Sequence, residues 1–164
     1  VSAADRERVF FLRGAMFEKQ KKLPEAEAEF QKILKEDPNN AGALNYLGYM
    51  LADKNIRVAE ALKMIQKAVE QDPYNSAYLD SLGWAYFRLD QLDEAEKYLK
   101  LSLERLSKDP TVHDHLGDVY LKQGKLKEAI VQWERSLSEW NGSAPSDRDA
   151  AEIAKIQKKL DGAK

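Results

Sequence analysis

The chain has 164 residues, of which 43% are hydrophobic and 33% charged, with a formal net charge of −2 and no cysteine. This excludes disulfides, thiol catalysis and Cys-ligated zinc, and it gives none of the cationic excess expected of a nucleic-acid-binding domain. No apolar run approaches the ~18 residues of a membrane-spanning helix, so direct membrane insertion is not expected. The chain opens on Val1 without a basic-then-apolar segment, and it reads as a portion of a longer protein.

Glycine recurs at 14, 48, 83 and 117, at intervals of 34, 35 and 34 residues, while alanine recurs at 26, 61, 95 and 129. Two small-residue ladders in near-lockstep indicate one structural unit repeated four times. The first helix of each repeat reads Phe10-x-x-Arg13-Gly14-x-x-Phe17, then Leu44-x-x-Leu47-Gly48-x-x-Leu51, Leu79-x-x-Leu82-Gly83-x-x-Tyr86 and His113-x-x-Leu116-Gly117-x-x-Tyr120. This spacing puts the large side chains on one helical stripe. A helix-interior glycine costs roughly 0.5–1 kcal/mol relative to alanine, so four at one place point to close helix–helix approach. The second helices carry Ala26 with Phe30, Ala61 with Ile65, Ala95 with Leu99 and Ala129 with Trp133. The small residue lets the second helix lie against the first, and the large one is expected to fill the space between repeats.

The pattern resembles the tetratricopeptide repeat over about residues 7–143. The resemblance implies an all-α, right-handed α-solenoid of four helix pairs plus a C-terminal capping helix. Residues 1–143 then hold repeats at about 7–40, 41–75, 76–109 and 110–143, and residues 144–164 hold a linker and the capping helix. Glycine and alanine are 12 residues apart except in the second repeat, where 13 separate them, which puts the extra residue in the turn around Asp53–Val58. Proline closes the first two repeats at Pro38 and Pro73 but moves to Pro110 in the third, where Asp109 reads as an N-cap. On that reading the third repeat's second helix runs longer. Arg13, where the pattern prefers leucine, points to an altered or absent neighbour for the first repeat.

After Trp140 the stretch Asn141–Pro145 reads as a linker, and a last helix is expected from Ser146 or Asp147. Ala150, Ile153, Ile156 and Leu160 form its apolar stripe, and Glu152, Lys155, Lys158 and Lys159 are assigned to its solvent face. At the other end, Val9, Phe10, Phe11 and Leu12 spread apolar groups around the first helix. Two readings stand: missing upstream repeats, or self-association through the N-terminal helix.

In tetratricopeptide arrays the first helices line a concave groove, and the resemblance implies that positions 2, 5, 6, 9, 12 and 13 of each repeat face it. The expected binding residues for a peptide or partner protein are Asn45, Tyr49, Asp80, Trp84, Phe87, Arg88, Asp114, His115 and Asp118. Tyr49 and Trp84, both at position 9, are expected to be partly exposed as aromatic anchors. Asn45 is suited to holding a ligand's backbone, and the aspartates to a ligand Lys or Arg. A terminal-carboxylate clamp is not expected, because the corresponding positions hold Phe11, Ala15, Tyr46, Ala77 and Ser81 rather than cations.

Catalysis, a metal and a cofactor are not expected. His113 and His115 lie two apart on a helix and diverge, with His113 read as packed and His115 as facing the groove. The acids of the second helices read as solvated faces, with i, i+4 pairs such as Asp93–Lys97 and Glu96–Lys100. The phrases Asn45–Asp53, Asp80–Tyr86 and His113–Tyr120 further resemble the C-terminal repeats of bacterial exported tetratricopeptide lipoproteins. That resemblance implies a periplasmic or membrane-anchored whole protein, with a cytoplasmic one as the alternative.

Overall fold

The structure, a computed structural model, describes residues 1–163. Its fold class is an all-α solenoid of four helix pairs followed by a terminal helix. The chain divides into two compact units, Val1–Pro73 and Tyr74 onward. The first holds α1 (Ala3–Lys19) and α2 (Leu23–Glu36), then α3 (Ala41–Asp53) and α4 (Val58–Gln71). The second holds α5 (Ser76–Arg88) and α6 (Leu92–Arg105), α7 (Pro110–Lys122) and α8 (Leu126–Gly142), and finally α9 (Ala150–Ala163). No described helix is long and apolar enough to cross a membrane.

The two helices of a pair start by different chemistry. Every first helix has a side-chain cap: Ser2, Asn40, Asn75 and Asp109 accept from the backbone N–H groups of Asp5, Ala43, Tyr78 and both Thr111 and Val112. These caps satisfy donors that a helix cannot pair internally. The second helices lack such caps and follow tight turns instead. Lys21, Asp90 and Gly124 occupy the left-handed region in three-residue turns, at φ 59°, 63° and 81°. The turn between α3 and α4 is one residue longer and bends at both Asn55 and Arg57, and Glu27 grips the Arg57 guanidinium at 2.6 Å. The extra residue of the second repeat therefore lies where the glycine–alanine spacing places it.

The glycine ladder forms the inner seam of each pair. A Cβ on Gly14 would stand 2.7 Å from the Phe30 ring, one on Gly48 2.7 Å from Ile65, and one on Gly83 2.7 Å from Leu99, while Gly117 lies directly under the Trp133 indole. The large residue of each second helix thus covers the glycine of its own pair. The expectation that it fills the space between repeats is only partly right; Phe30 does also stack on Tyr46, with ring centroids 4.8 Å apart. Ser102 and Ser136 add a polar staple: their hydroxyls donate to the carbonyls of Ser76 (2.8 Å) and Pro110 (2.6 Å) at the start of the partner helix.

Two expectations are corrected. Helix α6 has 14 residues, the same as α2 and α4, so it does not run longer. Pro110 becomes the first residue of α7, with Asp109 as its cap, and the preceding four-residue loop keeps its length. Helix α8 continues through Asn141 to Gly142, and a 3-10 turn at Pro145–Asp147 precedes α9, which starts at Ala150 rather than 146 or 147. Asp149 caps it by accepting from Glu152 N–H at 3.1 Å. Arg13 has a partner of its own within the first repeat. It pairs at 3.1 Å with Glu29, which is buried on α2 and also bonded by Lys32, so an ion pair replaces the usual leucine contact.

Candidate functional site

Position 5 and position 9 of each first helix lie one turn apart on the same face, so the residues there determine what that face can meet. In the first compact unit these are Phe11 and Ala15 on α1, then Asn45 and Tyr49 on α3. Phe11 is packed edge-on against Phe30 and Tyr46, each at 5.4 Å. The Tyr46 hydroxyl donates to Glu18 at 3.3 Å, and burial, followed by the Glu18 charge, pushes its pKa up to about 12. Asn45 and Tyr49 are half-buried. The Asn45 carbonyl oxygen is buried without a hydrogen-bond donor.

In the second compact unit, the corresponding residues form a dense network. His115 Nδ1–H donates to Asp80 at 2.8 Å, and the imidazole stacks on Trp84 with ring centroids 4.0 Å apart. Phe87 stacks on Trp84 at 4.8 Å, and the Arg88 guanidinium lies 4.9 Å from the indole. The Lys122 ammonium covers Phe87 at 5.3 Å and reaches Asp90 at 3.0 Å. Burial lowers the His115 pKa, but the Asp80 charge and hydrogen bond, with Asp114 and Asp118 behind them, leave it raised above the ordinary value.

Several of the expected site residues change role. Trp84 is 5% exposed, not a part-exposed anchor, because His115 and Phe87 both stack on it. His115, expected to face the groove, is equally buried, since its position-6 side chain turns toward Asp80 and Trp84 of the preceding first helix. Asp80 and Asp114 are buried as well, whereas Phe87, Arg88 and Asp118 are half-buried. His113 is packed as expected, its ring nitrogens 2.8 Å from Gln132 Oε1 and from the Ser107 carbonyl.

The residue that sequence reasoning missed is Lys159. Assigned to the solvent face of the last helix, it instead donates to Asp114 at 2.8 Å and to both oxygens of Asp118 at 2.8 and 3.1 Å. Trp133 Nε1–H also donates to Asp118, at 3.3 Å. Burial and the neighbouring Asp118 charge raise the Asp114 pKa, with Lys159 opposing; the two carboxylates in turn raise that of Lys159 against its burial. The aspartates had signalled a cation. The chain itself supplies one. Among the described residues, no three His, Asp or Glu side chains are placed to hold a metal ion.

Two models of the tetratricopeptide repeat match the chain, one over residues 3–41 and 11–76 and the other over 50–118. The chain belongs to the tetratricopeptide repeat family. A TPR repeat-containing protein of Pseudomonas aeruginosa is 35% identical over 110 residues, which cover 67% of this chain and only 18% of that relative. Among solved structures, PilW, a type IV pilus biogenesis factor, superimposes with a TM-score of 0.77 at 22% identity, covering 96% of this chain and 70% of its own. MamA from Desulfovibrio magneticus gives 0.70 at 20% identity, covering 84% and 77%. These two likenesses establish the fold alone.

Proposed function

We propose that this tetratricopeptide chain is a non-catalytic scaffold that binds an extended segment of a partner protein along its first-helix faces. One observation carries the reading: Asn45 of α3 holds a buried carbonyl oxygen with no donor. Such an atom costs roughly 1–3 kcal/mol when left unmet, and a backbone N–H of a bound peptide satisfies it once the Asn45 side chain turns outward. Tyr49, one turn along the same helix and half-buried, offers an aromatic surface beside it. In the second compact unit the half-buried groups are Phe87 and Arg88, while Asp118 on α7 is already held by Lys159.

The test is affinity capture from bacterial extracts with the wild-type chain and an Asn45→Ala/Tyr49→Ala variant, read by mass spectrometry. Proteins held by wild type and lost by the folded variant support the α3 face. Identical lists overturn it.

A second reading is favoured by α1. Val9, Leu12 and Met16, at i, i+3 and i+7 on that helix, are 50%, 60% and 44% exposed. A stripe of this kind suits a protein interface, either with further chain or with a second copy. Light scattering over a hundredfold concentration range separates the two: mass that rises with concentration and is abolished by Leu12→Lys marks self-association.

A further inference from the structure

One contact recurs between successive first helices. In the first compact unit, Tyr46 of α3 packs against Phe11 of α1. In the second, His115 of α7 meets both Asp80 and Trp84 of α5. Asp114 and Asp118 follow Asp80 and Trp84 one repeat later, and Lys159 of α9 bonds both of them. Helix α9 therefore contacts α7 at the same two positions through which α7 contacts α5. It occupies the place of a fifth first helix.

It is held there more lightly than α3, α5 or α7. Among the described residues no second helix pairs with α9, and a Cβ on its Gly162 would meet nothing within 4 Å. Two of its residues, Ile156 and Leu160, are buried, against eight in α7. Its 14 residues are marginal as an isolated helix in water, and elements with few buried contacts open before the rest of a fold. The receiving face is selective nonetheless. Asp114 and Asp118 are like charges one turn apart, one buried and one half-buried, so an occupant without a cation leaves neither charge compensated from that side.

We infer that the fifth first-helix position is an exchangeable docking site for a basic amphipathic helix, held here by α9. The site accepts a partner helix that presents Lys or Arg between two aliphatic residues, as α9 presents Lys159 between Ile156 and Leu160. The inference rests on the reading that first helices meet partners, and it names the partner chemistry at this end.

Hydrogen exchange on the intact wild-type chain is the first test: α9 amides should exchange at least tenfold faster than those of α7, and equal protection overturns the inference. The second uses a fluorescein-labelled peptide of residues 149–163 and a full-length receiver carrying Ile156→Ala and Leu160→Ala, checked by circular dichroism. Micromolar binding in trans is expected, with at least fivefold loss for a Lys159→Ala peptide and no such difference on a receiver also carrying Asp114→Asn and Asp118→Asn. Failure of a folded receiver to bind, or equal binding of both peptides to it, overturns the inference. If that receiver loses more helix than α9 contains, the exchange result decides. Capture by the Asn45–Tyr49 face enters neither test, so its failure is separately visible.

Discussion

His115 and Asp80, 35 residues apart, are joined by a 2.8 Å hydrogen bond with both side chains buried. The pair faces Asp114 and Asp118 on α7, and Asp109 at the start of that helix is also close enough to feel the Asp80 charge. A histidine whose folded pKa is raised contributes stability fully present below its unfolded value near 6.5. That contribution is lost as pH rises through the folded value. All three tryptophans, Trp84, Trp133 and Trp140, lie in the second compact unit, so indole fluorescence reports its unfolding alone. The urea midpoint read this way should fall as pH is raised from 6 to 9. Asp80→Asn should flatten that fall while costing about 1.5–3 kcal/mol at pH 6. An equally steep fall in the variant would assign the pH dependence to other groups.

Lys159 gives a second stability prediction. Its removal leaves Asp114 and Asp118 facing each other without their shared cation. Lys159→Met should cost about 1–3 kcal/mol in urea unfolding, and adding Asp118→Asn should restore part of it. Additive losses would mean that the ion pairs are not coupled.

The repeat, its helix pairing and the longer second turn were all legible in the sequence, because a small residue at fixed spacing has one packing meaning. Gly83 and Ala95 recur where they must for α5 and α6 to approach. The charge partners were not legible. Arg13 looked like a defect in a pattern, since nothing local links it to Glu29, sixteen residues on and buried. Lys159 shared the sequence neighbourhood of exposed Lys155 and Lys158, and only the placement of α9 on α7 distinguishes it. Trp84 was misjudged for a related reason: position 9 faces the groove only when the next first helix leaves it open, and His115 closes it.

Gly83 tests the packing account. A methyl there would sit 2.7 Å from Leu99 and 3.1 Å from the Ala95 carbonyl, a backbone atom that cannot step aside. Alanine would gain the helix propensity that glycine lacks, roughly 0.5–1 kcal/mol, against an overpacking cost of about 1–3 kcal/mol. Overpacking should win, with Gly83→Ala lowering stability by about 1–2 kcal/mol. A stabilised variant would show that α5 and α6 can move apart freely.

Asn45 and Trp84 separate binding from folding. Trp84→Ala removes a buried indole that supports His115 and Phe87, so it should cost about 3–5 kcal/mol and weaken any partner only by loosening the second compact unit. Asn45→Leu removes an unmet buried acceptor and adds apolar contact, so it should leave thermal stability unchanged or raised by up to about 1 kcal/mol. Partner affinity should nevertheless fall two- to tenfold, the equivalent of one lost hydrogen bond of about 0.5–1.5 kcal/mol. Calorimetric melting beside titration of a captured partner reads both quantities. A stabilised Asn45→Leu variant that binds as tightly as wild type would remove α3 from the binding face.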